Sequence, residues 1–234
     1  MATFLICHGA WSAGWAWKKV RPLLQAAGHT VFTPTYTGLG ERAHLTGPLV
    51  DLETHIQDVL GVIEYEDVRD FILVGHSYGG MVATGIADRV PERVRHLVYL
   101  DAFVPRDGQS LHDLVQTGGV TAHAGIDGWL VPPNPSPPDT SAEDLAWITG
   151  RRRHQPAATF AQKLRLQNAS PTIRQSYIYC ALKAAAGDPF AQFADRFRHD
   201  PTCSYFERDW SHSPNVTAPE ALVHLLLEIA AHGS

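Results

Sequence analysis

The chain has 234 residues, 44% of them hydrophobic and 18% charged, with a net charge of −5. That is enough apolar material for one α/β domain with an insertion, and too little charge for a disordered chain. The acidic balance argues against a nucleic-acid or anionic-membrane surface, so neither is expected as a partner.

The opening Met1-Ala2-Thr3-Phe4 lacks a basic stretch and a long apolar stretch, and runs straight into an apolar segment. A leader is therefore not expected, nor is a membrane span. Short apolar runs at 4–7, 31–33, 71–74, 97–100, 177–180 and 204–206 read as strands buried on both faces. Helical patterns are expected at 17–27, 52–66, 79–90 and 189–199. The last helix is marked by Leu222, Leu225, Leu226 and Ile229 on one face, with Pro219 and Glu220 in its first turn. Strand–helix alternation of this kind implies a mostly parallel, doubly wound α/β sheet.

Residues 105–171 break the alternation. No strand is expected there, and the run Pro132-Pro133-Asn134-Pro135-Ser136-Pro137-Pro138 is incompatible with regular structure. Helical patterns flank it at about 110–116 and 141–167. The segment reads as a helical cap inserted over the sheet edge, so that 1–104 and 172–234 form the core and 105–171 the cap. Arg151, Arg152 and Arg153 make the one basic run, read as a solvated helix face. Cys7, Cys180 and Cys203 are an odd, sparse set that fits a reducing cytoplasm rather than a disulfide framework.

The sharpest motif is Gly75-His76-Ser77-Tyr78-Gly79, between the run 71–74 and a helical pattern beginning near Gly80. This strand–turn–helix context matches the nucleophile turn of the α/β-hydrolase fold. There a serine sits on a strained turn and needs small neighbours, and the helix N-terminus faces its hydroxyl. Ser77 is the candidate nucleophile. The amide of Tyr78 and that of Ala10, after the first strand in Cys7-His8-Gly9-Ala10-Trp11, are the candidate oxyanion hole. A dinucleotide loop at Gly9 and Gly14 is rejected, because the spacing is not G-x-G-x-x-G. Of the histidines, His212 stands in the polar loop after the last strand, where a base following the serine along the chain is expected. His8, His76 and His224 are read as structural or surface residues.

Together these segments resemble the plant methylesterase and hydroxynitrile lyase family, with its salicylic-acid-binding esterases and bacterial relatives. The resemblance rests on the opening H-G-A with the following G-W and W-K-K-V-R-P-L-L-Q-A-A-G-H, on L-V-G-H-S-Y-G-G-M, on Ala102-Phe103-Val104-Pro105, and on Tyr177-Ile178-Tyr179-Cys180 with His212. The cap matches poorly. The resemblance implies an α/β-hydrolase fold and an esterase acting through an acyl-enzyme. Lyases of this family carry a threonine and a lysine where this chain has Gly9 and Ser213, which favours ester over cyanohydrin chemistry. The family's triad acid falls near Lys183, which cannot serve. Asp101, at the tip of the strand after the nucleophile's helix, is preferred, with Asp188 as the alternative.

A small apolar or aromatic ester is the expected substrate, with carbamates and amides open to the same machinery. Trp11, Trp15, Phe103, Trp129 and Trp147 are expected to bind it or to pack beneath the cap. Neither a metal nor an organic cofactor is expected. A lyase and a non-catalytic small-molecule receptor remain as alternatives, and a homodimer is compatible with the sequence.

Overall fold

The computed structural model describes residues 1–115, 126–168, 173–182 and 187–231. Its main sheet contains β1 (Thr3–Cys7), β2 (Thr30–Phe32), β3 (Phe71–His76), β4 (Val94–Leu100), β7 (Arg174–Cys180) and β8 (Ser204–Arg208). The order is β2-β1-β3-β4-β7-β8, with every neighbouring pair parallel. Parallel pairing requires crossovers, and the helical patterns supply them. These are α1 (Arg21–Ala26), α2 (Leu52–Tyr65), α3 (Gly79–Arg89) and α7 (Ala191–Arg198), followed by α8 (Pro214–Thr217) and α9 (Pro219–Ala231).

Alternation along the strands divides the core into two layers. Phe4 and Ile6 of β1 and Ile72 and Val74 of β3 pack with Leu24 of α1 and Leu222 and Leu226 of α9. Leu5, Cys7, Phe71 and Leu73 face the other way, toward Ile56 and Val59 of α2 and Val82 and Ile86 of α3. Every residue of β3 is buried, which makes the strand carrying the serine motif the centre of the molecule.

The stretch between β4 and β7 departs from the sequence reading. A small antiparallel sheet forms from β5 (Leu130–Val131) and β6 (Gln155–Pro156), where no strand is expected. The continuous helical pattern at 141–167 is broken into α5 (Ala142–Thr149) and α6 (Ala158–Ala161), with β6 between them. Strands of two residues carry no periodicity, and Pro156 ends any helix that would cross it. The other expected helix is short: α4 spans Leu111–Leu114, begun by a Ser110–Asp113 capping box.

Polar bonds hold this stretch to the core. Gln155 Oε1 accepts from the Trp11 amide at 2.7 Å, and Trp11 Nε1 donates to the Val131 carbonyl at 2.9 Å. Gln162 spans the N-terminus of α2, accepting from the Glu53 amide and donating to Asp51. Among the described residues, no helix is long and apolar enough to cross a membrane.

Candidate active site

Strand tips and the loops after them build the site. Ser77 follows β3 with φ +55°, in the left-handed region that non-glycine residues seldom occupy. Its amide donates to the Leu100 carbonyl, and its own carbonyl accepts from Gly80 and Phe103. The turn is therefore held by the neighbouring strand's exit as well as by its own helix. The glycines are required by close approach. A Cβ on Gly79 would stand 2.1 Å from the Cys7 carbonyl oxygen, and one on Gly80 2.1 Å from that of Phe103.

Asp101 sits at the tip of β4 with φ +42° and is fully buried. Its amide donates to the Ile178 carbonyl at 2.7 Å, which continues the β4–β7 ladder past the end of the strand. Oδ1 accepts from the Cys180 amide at 3.3 Å, and Oδ2 meets His212 Nδ1 at 2.7 Å. His212 Nε2 stands 2.9 Å from Ser77 Oγ. A carboxylate only accepts, so Nδ1 carries the proton and Nε2 is left to accept from the Ser77 hydroxyl. The three side chains expected to work together are thus in one hydrogen-bonded line. Asp188, the alternative acid, is occupied elsewhere: Oδ2 accepts from the Tyr179 hydroxyl at 2.6 Å and Oδ1 from the Phe190 amide at 3.0 Å. Lys183 lies outside the described residues.

Other residues hold the imidazole. Phe190 stacks on it, with ring centroids 4.8 Å apart and planes 16° from parallel. His76 Nε2 donates to the His212 carbonyl at 2.7 Å. Burial, reinforced by the neighbouring His212, lowers the His76 pKa to about 3, so this donor stays neutral at working pH.

The amides of Ala10 and Tyr78 flank the serine. Among the described residues neither amide has a hydrogen-bond acceptor, so both are available to an incoming oxygen. Buried histidines brace each one. His8 Nδ1 donates to the Gly9 carbonyl at 2.9 Å, and its Nε2 accepts from the Tyr36 amide at 3.3 Å. His55 Nε2 donates to the Thr37 carbonyl at 3.0 Å, which leaves Nδ1 to accept from the Tyr78 hydroxyl at 2.9 Å. Burial brings both imidazoles down to about 3. Sequence reading set His8 aside and did not single out His55. Nothing in a mid-helix histidine reveals that its ring ends on Tyr78.

A cavity of about 380 Å³ opens above Ser77. Gly9, Ala10, Ser77, Tyr78 and His212 form its floor, and Trp11, Trp15, Phe103, Leu111, Phe160 and Phe190 its apolar walls. Residues 134–138, Ile148 and Arg152 complete it from the β4–β7 stretch. Trp11 and Phe103 thus line it as expected. Trp129 and Trp147 are not part of its lining, so of the residues expected to bind substrate or to pack beneath the cap the structure brings Trp11, Trp15 and Phe103 to the cavity. The Trp147 ring packs edge-on against Trp15 at 5.2 Å, one layer behind the wall, and the Trp129 carbonyl is tied to the Ala157 amide beside β5. Neither position in the sequence reveals that residues 134–138, rather than Trp129 or Trp147, face the cavity from this stretch. Among the described residues, no group of three or more histidine, cysteine or acidic side chains is arranged to hold a metal ion.

Comparison with known proteins agrees with this architecture. A carbendazim hydrolyzing esterase of Nocardioides sp. (strain SG-4G) is 40% identical over 240 residues, which span 97% of this chain and 98% of that protein. Salicylic acid-binding protein 2 of Nicotiana tabacum is 34% identical over 103 residues, 44% of this chain and 40% of its own. An extracellular α/β-hydrolase from a Paenibacillus species superposes with a TM-score of 0.81 at 27% identity, over 97% of this chain and 98% of that one. Fold and relatives together define a carboxylesterase-type hydrolase. The match to the alpha/beta hydrolase family model runs over residues 4–225, and the chain belongs to that family.

Proposed function

We propose that the protein hydrolyses small apolar or aromatic carboxylic esters through an acyl-enzyme on Ser77. The observation that carries this reading is the Ser77–His212–Asp101 line, at 2.9 and 2.7 Å, on the floor of an apolar cavity. His212 Nε2 takes the hydroxyl proton as Ser77 Oγ attacks the carbonyl carbon. Asp101 holds the tautomer and stabilises the imidazolium. The amides of Ala10 and Tyr78 receive the developing oxyanion. The tetrahedral intermediate collapses as His212 passes its proton to the leaving alkoxide. Water, deprotonated by His212, then releases the acid and restores Ser77.

Gly9 supports ester over cyanohydrin chemistry. A Cβ there would stand 3.2 Å from Ser77 Cβ and from His76 Nδ1, so a lyase-type threonine would have to push these neighbours aside. Ser213 also lines the cavity at the lyase lysine's place. A reducing, cytoplasmic setting suits the three cysteine thiols.

A fluorophosphonate probe is expected to label Ser77 alone, and Ser77→Ala to abolish both labelling and turnover. The turnover panel comprises p-nitrophenyl esters, methyl aryl esters, aryl carbamates and carbendazim, for which the Nocardioides relative is named. Labelling or turnover that survives Ser77→Ala sinks the reading.

A further inference from the structure

Of the basic run 151–153, one member does not belong to solvent. Arg151 and Arg153 are exposed, and their guanidinium groups donate to nearby backbone carbonyls. Arg152, just beyond α5, is half-buried and lines the cavity. Its Nη1 donates to the Asn134 carbonyl at 2.5 Å, and its guanidinium lies 5.6 Å from the centre of the Trp11 ring. Among the described residues no carboxylate pairs with it. Burial lowers its pKa, the expected sign for a cation held among apolar groups.

The rest of the cavity sharpens this. No aspartate or glutamate is part of its wall among the described residues, and Asp101 is sealed behind His212 with no exposed surface. The titratable groups that do line it are His76, Tyr78, His212 and Arg152, and burial holds the Tyr78 phenol neutral. The space therefore has one permanent positive charge and no facing negative one. The Asn134 bond uses one of the five N–H donors of the guanidinium. A planar fork with spare donors, in a site of low dielectric, matches a carboxylate better than a neutral acceptor, because the paired charge offsets the cost of burial.

We propose that Arg152 is a specificity residue that binds a carboxylate carried by the substrate away from the scissile bond. The favoured substrates are then half-esters of aromatic dicarboxylic acids. This rests on the esterase reading above and narrows its substrate class.

The test compares monomethyl terephthalate with methyl 4-carbamoylbenzoate, which keeps the shape and removes the charge. For Arg152→Met, kcat/KM on the half-ester should fall about tenfold to a hundredfold, and on the amide by less than about threefold. Arg152→Lys should recover part of the loss, since it restores charge without the fork. A comparison that needs no variant uses the wild-type enzyme turning over p-nitrophenyl acetate. Terephthalate should inhibit it about tenfold more strongly than terephthalamide. Equal losses on both esters, or equal inhibition by both compounds, would make Arg152 a tie that holds residues 134–138 in place, and the proposal falls. Turnover of p-nitrophenyl acetate without either terephthalate ester overturns this inference alone. No turnover of any ester removes the esterase reading with it.

Discussion

At the sheet edge, Ser77 and Asp101 are held by backbone bonds to the neighbouring strand, and both stand in left-handed backbone conformations that the surrounding ladders impose. Across the cavity, the described residues between 105 and 168 hold their side of the wall differently. They use two-residue strands, helices of four and eight residues, and single polar bonds such as Trp11–Gln155. The first region places atoms to within a hydrogen bond. The second places surfaces, and needs only enough anchoring to keep apolar side chains and one guanidinium over the site. On the proposed function, chemistry and selectivity fall to separable parts, and substitutions in the second region are expected to retune the substrate without moving the proposed triad.

The sharpest way to break this comparison is to exchange the acids. With Asp101→Asn, turnover per folded molecule is expected to fall about 10⁴-fold, as the loss of the carboxylate releases the wrong imidazole tautomer. Asp188→Asn should cost less than about tenfold, since Asp188 bonds the Tyr179 hydroxyl and the Phe190 amide, and it is the Phe190 ring that stacks on His212. Single-turnover kinetics on both variants decides between them. A larger loss at Asp188 would return the acid to the β7 side of the sheet.

A second prediction concerns the floor's buried histidines. His8, His55 and His76 are all driven down to about 3, chiefly by burial, against about 6.5 for an ordinary histidine. Well above pH 6.5, from about 7.5 up, they are neutral in both states and contribute no pH dependence. Below it the unfolded chain takes up protons that the fold refuses, so stability drops as pH falls from about 6.5 toward 3. Between pH 7.5 and 5.5 the loss should be about 4 kcal/mol for the three together. Urea unfolding across that range measures it together with a similar single share from His96, which burial lowers to about 4, so His55→Gln should remove about a quarter of the dependence. A flat profile would mean that these rings reach solvent.

The smallest expected effect falls on the anchoring of the covering segment. Gln155 is fully buried, accepts from the Trp11 amide and donates to Thr159 Oγ1 at 2.9 Å. Gln155→Leu should cost about 1–3 kcal/mol of stability through unsatisfied partners. It should also raise KM more than it lowers kcat, because Trp11 is part of the wall while Ser77 and His212 are held elsewhere. A fall in kcat with KM unchanged would show that the two regions are coupled more tightly than their bonds suggest.

Much of this was legible in the sequence because it depends on local rules. Apolar runs with helical patterns between them specify a covered parallel sheet. A glycine-flanked serine between strand and helix specifies the turn, and the loop before the last helix specifies the histidine. The same rules were silent on β5 and β6, on the break in the 141–167 helix, and on Trp147 packing behind Trp15 rather than lining the cavity. Two-residue strands and layer-by-layer packing leave no period to read. Asp101 is preferred over Asp188 from its place at the tip of the strand after the nucleophile's helix, but only the tertiary structure brings its Oδ2 to Nδ1 of His212, through the β4–β7 ladder. The same is true of Arg152. Its sequence neighbours make it part of a solvated run, and the fold turns it inward over Trp11, because the end of α5 is held against the loop that follows β1.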